Sequence, residues 1–253
     1  MKIYRRLSTI KAISFDLDDT LYNNKPVMMA IEEIMIAYFA NLPVLQAKKS
    51  DWPAKQSNEL NHHFWYTFRS QATIAQPDLA HDVVQVRLVT YRLGFIALGL
   101  SEQAADYEAQ AALDYFITLR SNFIVPETSK TLLERLSKKY PLVAISNGNV
   151  DTQAINISKY FQYIYHAGWQ AGGTLLRQKP CVDMFDLACQ QLSISPSQLL
   201  HVGDCGRADI QGALRAGCQT AWLCCYDVGK PITVLPHIAL SKLSELNLLL
   251  TEQ

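Results

Sequence analysis

The distribution of apolar positions divides the chain into two textures. From residue 126 onward, short apolar runs alternate with longer stretches of helical period. PETSKTLLERLSKKY reads as a helix and PLVAISNG as a buried strand ending in a turn. The alternation continues through YFQYIYHAG (strand), CVDMFDLACQQL (helix), QLLHVGD (strand), ADIQGALRAG (a helix closed by Gly217) and QTAWLCC (strand). Continuous apolar strands separated by helices predict a parallel sheet covered on both faces. With IKAISFD as a further strand near the N-terminus, the expectation is a doubly wound, Rossmann-like α/β core.

Between about residues 22 and 117 the pattern is helical, with little that resembles a strand. KPVMMAIEEIMIAYFANL sets Met28, Ile31, Met35 and Tyr38 along one face, and HDVVQVRLVTYRLGFIALGL and EQAADYEAQAALDYFITL continue at the same period. Pro43, Pro53 and Pro77 fall between the candidate helices, where proline is expected as a stop. The predicted organisation is a core of residues 1–21 and 118–253, with an all-helical domain of residues 22–117 inserted after the first strand. There is no internal repeat and no low-complexity tract.

Composition narrows the function classes. With 253 residues, 49% of them hydrophobic, the chain can bury a large core. Lys plus Arg and Asp plus Glu both total 23, a balance that argues against nucleic-acid or membrane-surface partners. Cys181, Cys189, Cys205, Cys218, Cys224 and Cys225 make no C-x-x-C pair and are expected to be buried thiols in a reducing compartment. Lys2, Arg5 and Arg6 precede no continuous apolar segment of signal-peptide type, and no run approaches the ~20 apolar residues of a membrane span. The cytoplasm is the expected location.

In an open α/β sheet the loops after the strands converge on one crevice, so the residues there indicate the chemistry. The first strand ends in Asp16-Leu17-Asp18-Asp19-Thr20, the second in Ser146-Asn147-Gly148, and a later one in Gly203-Asp204, followed by Asp209; Lys179 precedes Pro180. Carboxylates set so close repel one another and call for a positive partner. A divalent cation together with a phosphate answers that need, and Mg²⁺ suits it because it takes oxygen ligands from a few carboxylates plus a phosphate oxygen. Lys179, Ser146 and free backbone amides, including those of the turn at Asn147, would hold phosphoryl oxygens. Asp16, placed at the strand end, is the nucleophile candidate, and Asp18 the general acid and then base. Thr20 would brace the loop, and Asp209 would orient Lys179 or a metal-bound water.

The D-x-D-x-T at Asp16, Asp18 and Thr20, then Ser146, Lys179, and G-D-x-x-x-x-D at Asp204 and Asp209, in that order, resemble the haloacid dehalogenase superfamily. The resemblance extends to the inserted helices, which match the family's helical cap. It implies Mg²⁺-dependent hydrolysis of a small phosphorylated metabolite through a phosphoaspartate, with the metal held by Asp16, the Asp18 backbone carbonyl and Asp204. YRRLSTIKAISFDLDDTLYNNKPV, LVAISNGN and LLHVGD further resemble the bacterial phosphatases that act on 5-amino-6-(5-phosphoribitylamino)uracil in flavin synthesis. Cys205 departs from the pattern, since near relatives often carry a second acid there.

The competing readings are specific. A calcium loop starting at Asp16 would need glycine and glutamate where Leu21 and Val27 stand. A dehalogenase has no use for an acid at Asp18. A response-regulator receiver is shorter and places its metal-binding acids before the phosphorylated strand. A generalist sugar-phosphate or nucleotide phosphatase, a phosphomutase and an inactive binding module remain as alternatives. His62, His63, Trp65, Tyr66, Arg69, Arg87 and Arg92 read as packing or solvated positions, and His166 and His201 as satisfied core histidines. The sequence assigns no oligomeric state.

Overall fold

The structure, a computed structural model, describes residues 1–47, 60, 62–224 and 233–250. Pro53 and Cys225 therefore lie outside the described residues. The chain forms two compact units, Met1–Lys25 with Phe123–Gln253, and Pro26–Asn122.

Among the described residues the first unit is built on a seven-stranded sheet. Its strands are β1 (Lys2–Ile3), β2 (Ala12–Phe15), β3 (Leu142–Ser146) and β4 (Tyr163–His166), then β7 (Leu199–Gly203), β8 (Gln219–Leu223) and β9 (Ile238–Leu240). β5 (Gln170–Ala171) and β6 (Thr174–Leu175) form a separate small hairpin. The order is β1-β9-β8-β7-β2-β3-β4, parallel throughout except for β1 against β9. Every residue of β2, β3 and β7 is buried, which explains their unbroken apolar runs: helices cover both faces. Phe15, Leu133 and Val202 belong to one apolar layer, and Ile145, Met184 and Phe185 to another. The chain proceeds from β2 outward to β3 and β4, then returns to the other side of β2 for β7, β8 and β9. The order thus reverses between β2 and β7, where open α/β sheets leave a crevice at the carboxyl ends of their strands.

Helices α6 (Glu127–Ser137) and α7 (Asp183–Leu192) follow the sequence reading. The segment expected as one regular helix before Gly217 differs. It opens with a π-helical turn over Gly206–Gln211 and continues as the short α8 (Gly212–Arg215). β1, β9 and the hairpin are too short to leave a period of two in the sequence.

The second unit is helical. It contains most of α1 (Asn24–Asn41), then α2 (Pro43–Gln46), α3 (His62–Ala75), α4 (Val83–Ala97) and α5 (Glu102–Arg120). Pro43 and Pro77 each open a helical turn, as a residue with fixed φ and no N–H can. Asp82 caps α4 by accepting from the Val84 and Gln85 amides at 3.0 Å each, and Ser101 caps α5. Of the face read along α1, Ile31 and Met35 are buried together with Phe39, whereas Met28 and Tyr38 lie at its margin. Phe39 meets Trp65 at 4.4 Å between ring centroids and Tyr91 at 5.3 Å. A side chain on Gly94 would stand 2.3 Å from the Trp65 ring, so glycine is what lets the indole lie on α4. Arg92 is solvated as expected and pairs with Glu102 and Asp106.

Among the described residues no helix is long and apolar enough to cross a membrane. The expectation of buried thiols holds for Cys189 and Cys218; Cys181 and Cys205 are only partly covered and Cys224 is exposed.

Candidate active site

The loops after β2, β3 and β7 bring the singled-out residues together within the first unit. Asp16 follows β2 directly, and its amide is tied to the Val202 carbonyl at 2.9 Å, which fixes the carboxylate at the switch point. Lys179 enters from the segment before α7, and its buried ammonium donates to Asp16 Oδ1 at 2.7 Å, Asp209 Oδ1 at 2.6 Å and the Ile145 carbonyl at 2.7 Å. Those acceptors use all the donors an ammonium has.

Asp209 lies on the π-helical turn and is fully buried. Its Oδ1 receives Lys179 and faces His201 Nε2 at 3.2 Å, while Oδ2 accepts the Cys205 amide at 2.8 Å. Gly203 makes room for it: a Cβ there would lie 2.3 Å from Asp209 Cγ. Asp204 closes the group, and carboxylate oxygens of Asp16, Asp204 and Asp209 lie within 4.8 Å of one another. Thr20 reaches Asp204 through a long hydroxyl contact of 3.4 Å.

Asp18 is held by Tyr22, whose hydroxyl donates to Oδ1 at 2.7 Å. Its other oxygen leans over the loop after β3, where a Cβ on Gly148 would come within 2.4 Å of it. Ser146 is buried, and its Oγ accepts the Gly148 amide at 2.9 Å. The Asn147 side chain is committed to Lys179, donating to its carbonyl at 3.0 Å and accepting its amide at 2.7 Å. Asn147 therefore positions the lysine, and its backbone N–H and second side-chain N–H are left to offer an anion. Asp19, at a left-handed φ of 55°, turns its Oδ1 to the Asn24 amide at the start of α1.

The electrostatics follow from a count: three carboxylates cluster around one ammonium. Burial works against the charge on Lys179, but Asp16 and Asp209 outweigh it and hold the ammonium above its ordinary pKa. Burial likewise opposes charge on Asp209, yet Lys179 and the contact with His201 keep its carboxyl below the usual range. The surplus negative charge falls on the other two. Burial, the Asp209 charge and the Asp204 charge push Asp16 up in spite of Lys179. Burial, Asp209 and Asp19 raise Asp204 to about 7. With one ammonium against three carboxylates, the cluster suits a divalent cation of the oxygen-seeking kind. Such a group of three aspartates could hold a metal ion.

Four contributors escaped the sequence reading. His201, taken as a core histidine, is buried and satisfied, but its partners are Ser14 Oγ at 2.9 Å and Asp209, so it belongs to the site's support. Trp222 donates from Nε1 to the Asp204 carbonyl at 2.7 Å, and His166 Nδ1 meets the Gly148 carbonyl at 2.8 Å. The only signal was position: β4, β7 and β8 flank the crevice, but which of their residues point toward it depends on register. Tyr22, four residues after Asp18, could have been found from the loop itself.

The comparisons agree with this geometry. The sequence pattern of the haloacid dehalogenase-like hydrolases matches residues 10–217, and the chain belongs to that family. It is a phosphatase of the family, with a substrate among small phosphorylated compounds. It is 34% identical, over 99% of its length and 100% of the relative's, to the 5-amino-6-(5-phospho-D-ribitylamino)uracil phosphatase YigB of Escherichia coli (strain K12). It is 26% identical to the N-acylneuraminate-9-phosphatase of Rattus norvegicus, covering 96% of this chain and 95% of that one. A crystal structure described as 2-haloacid dehalogenase from Pseudomonas syringae pv. Tomato DC3000 superposes with a TM-score of 0.81 at 25% identity, covering 96% of this chain and 98% of that one.

Proposed function

We propose that the protein is a Mg²⁺-dependent phosphomonoesterase that works through an aspartyl phosphate at Asp16, and that its substrate is 5-amino-6-(5-phospho-D-ribitylamino)uracil. The observation that carries the chemistry is the Asp16–Lys179 contact of 2.7 Å inside the three-aspartate cluster. It couples a carboxylate at a strand end to a fixed positive charge, which orients one oxygen and leaves the other as the attacking atom. The Asp16 oxygen bonds to phosphorus while the bond to the leaving oxygen breaks, and Asp18 gives that oxygen its proton. Asp18 then takes a proton from water, whose oxygen attacks phosphorus, releasing phosphate and freeing Asp16. The Ser146 hydroxyl and Asn147 hold phosphoryl oxygens, and Lys179 acts through Asp16 with its charge close by. Thr20 and Asp209 brace Asp204 and Lys179. Asp16, Asp204 and the Asp18 carbonyl would hold the Mg²⁺, which when bound supplies charge neutralisation and polarises a phosphoryl oxygen.

The substrate is supported by the 34% identity over the full length of YigB. The inserted helical segment, residues 22–117, is the part of the chain left to select the leaving group. The likeness to a structure described as a dehalogenase favours a second reading, and Asp18 opposes it, because displacing a halide requires no proton donor. Phosphate release is to be measured on the ribitylamino compound, sugar phosphates and nucleotides, with and without Mg²⁺. The reading expects strong preference for the first, dependence on Mg²⁺, and a loss of at least about 10³-fold in Asp16→Asn with the fold intact. Retained turnover in that variant rules out Asp16 as nucleophile, and a flat substrate profile rules out the named substrate.

A further inference from the structure

The helical unit contains a cavity of its own, about 280 Å³, between α1, α3, α4 and α5. Its floor is aromatic, formed by the buried rings of Phe39, Trp65, Tyr91 and Phe116. The polar side chains of the lining include Glu32, His62, Arg69 and Arg87. The Arg87 guanidinium lies on the Phe116 ring, with Cζ 3.5 Å from the centroid, and donates one N–H to Tyr91 Oη at 3.2 Å. The rest of its donor edge meets no acceptor among the described residues.

Arg69 lines the same cavity, and partial burial together with the Arg87 charge lowers its pKa. Two cations thus share a largely apolar space, and among the described residues neither forms an ion pair, although Glu32 stands on the wall. Thr90 offers no competing donor, since its hydroxyl is spent on the Val86 carbonyl at 2.6 Å. Arg87 is partly covered and Arg69 exposed at the rim, and two like charges lining one space are unfavourable until an anion joins them. The aromatic floor, whose rings meet tilted or edge to face, favours an aromatic partner that can join the same packing. The volume, just under the roughly 300 Å³ at which small-ligand pockets begin, limits that partner to one ring with short substituents.

We propose that this cavity is a binding site for a small planar ring bearing a carboxylate or comparable oxyanion, with the ring on the aromatic floor and the oxyanion on Arg87 and Arg69. The cavity belongs to the helical unit, and none of the residues assigned to the phosphoryl chemistry lines it.

Titration calorimetry of the full chain with orotate, a planar ring carrying a carboxylate, tests the proposal. Saturable binding at one site is expected, at least tenfold tighter than cyclohexanecarboxylate, which has the anion without the flat ring. Arg87→Met, which keeps an apolar stem on Phe116 and removes the charge, is expected to weaken binding at least tenfold. If that variant loses its circular dichroism or thermal transition, Arg69→Gln carries the same expectation. Asp16→Asn is expected to bind orotate as the parent does, and inorganic phosphate is expected not to compete. Absence of orotate binding, equal affinity in the folded arginine variants, or loss of binding in Asp16→Asn or under phosphate overturns the site. None of those outcomes bears on the phosphatase activity, which the Asp16→Asn rate measurement decides separately.

Discussion

At the scale of single residues, the site is organised by who satisfies whom. Lys179 spends its ammonium on Asp16, Asp209 and a backbone carbonyl, and Asp209 spends both oxygens on Lys179, His201 and the Cys205 amide. His201 closes this chain by bridging Ser14 and Asp209, with the edge of its ring against Phe185 at 4.9 Å. Burial holds its pKa below the ordinary value, so the neutral ring bridges a hydroxyl and a carboxylate. Replacing it with alanine removes both bonds and opens a void beside Phe185. His201→Ala is therefore expected to lose about 2 to 4 kcal/mol of stability, read from denaturant unfolding. A variant as stable as the parent would show that the bridge contributes nothing. Asp19 shows why residue type alone misleads: it stands among the acids of the site, yet its Oδ1 serves the first amide of α1.

At the scale of elements, helix ends and irregular turns place the chemistry. The π-helical turn after β7 sets Asp209 deep beneath Gly203, a position a regular helical start would have shifted along the chain. α7 begins with Asp183 in its first turn, where Arg177 pairs with it through Nε at 2.9 Å and Nη2 at 2.8 Å. Hydrogen bonds from the Arg177 side chain hold the Asp183 carboxyl below its usual range, with burial opposing. A depressed acid contributes stability above its unfolded pKa of about 4 and loses it as pH falls through the folded value. Since Arg177 is half exposed, the contribution stays within about 1 kcal/mol. Arg177→Met is expected to melt slightly below the parent at pH 6, with the gap narrowing as pH falls below about 4. A difference constant across that range would assign the effect to packing of the arginine stem.

At the scale of the whole molecule, two separate apolar cores serve two tasks. The aromatic cluster around Phe39 holds the helical unit together, and the layered core on β2, β3 and β7 presents loop ends at the reversal in strand order. The negative surplus at that reversal is unfavourable by itself, so a cation that binds only the folded state stabilises it. At about 100-fold excess over its dissociation constant, Mg²⁺ is expected to raise the melting temperature by roughly 5 °C. Asp204→Asn is expected to melt at the same temperature with and without Mg²⁺. An equal rise in that variant would place the metal elsewhere.

The local pattern was enough to determine the fold class, because buried parallel strands demand unbroken apolar runs, and to single out the acids that follow those strands, because such residues have nowhere to go but the crevice. It could not reveal β1, β9 or the small hairpin, whose two or three residues carry no period, nor the π-helical turn, whose wider winding over a few residues leaves no mark in the apolar pattern. Tertiary structure alone decided the partners: Ser14 with His201 across 187 positions, Lys179 with Asp16 across 163, and Arg87 facing the same cavity as Arg69. Spacing along a chain records which face a residue takes on its own element, whereas distance between elements is set by register and packing, which no single stretch of sequence contains.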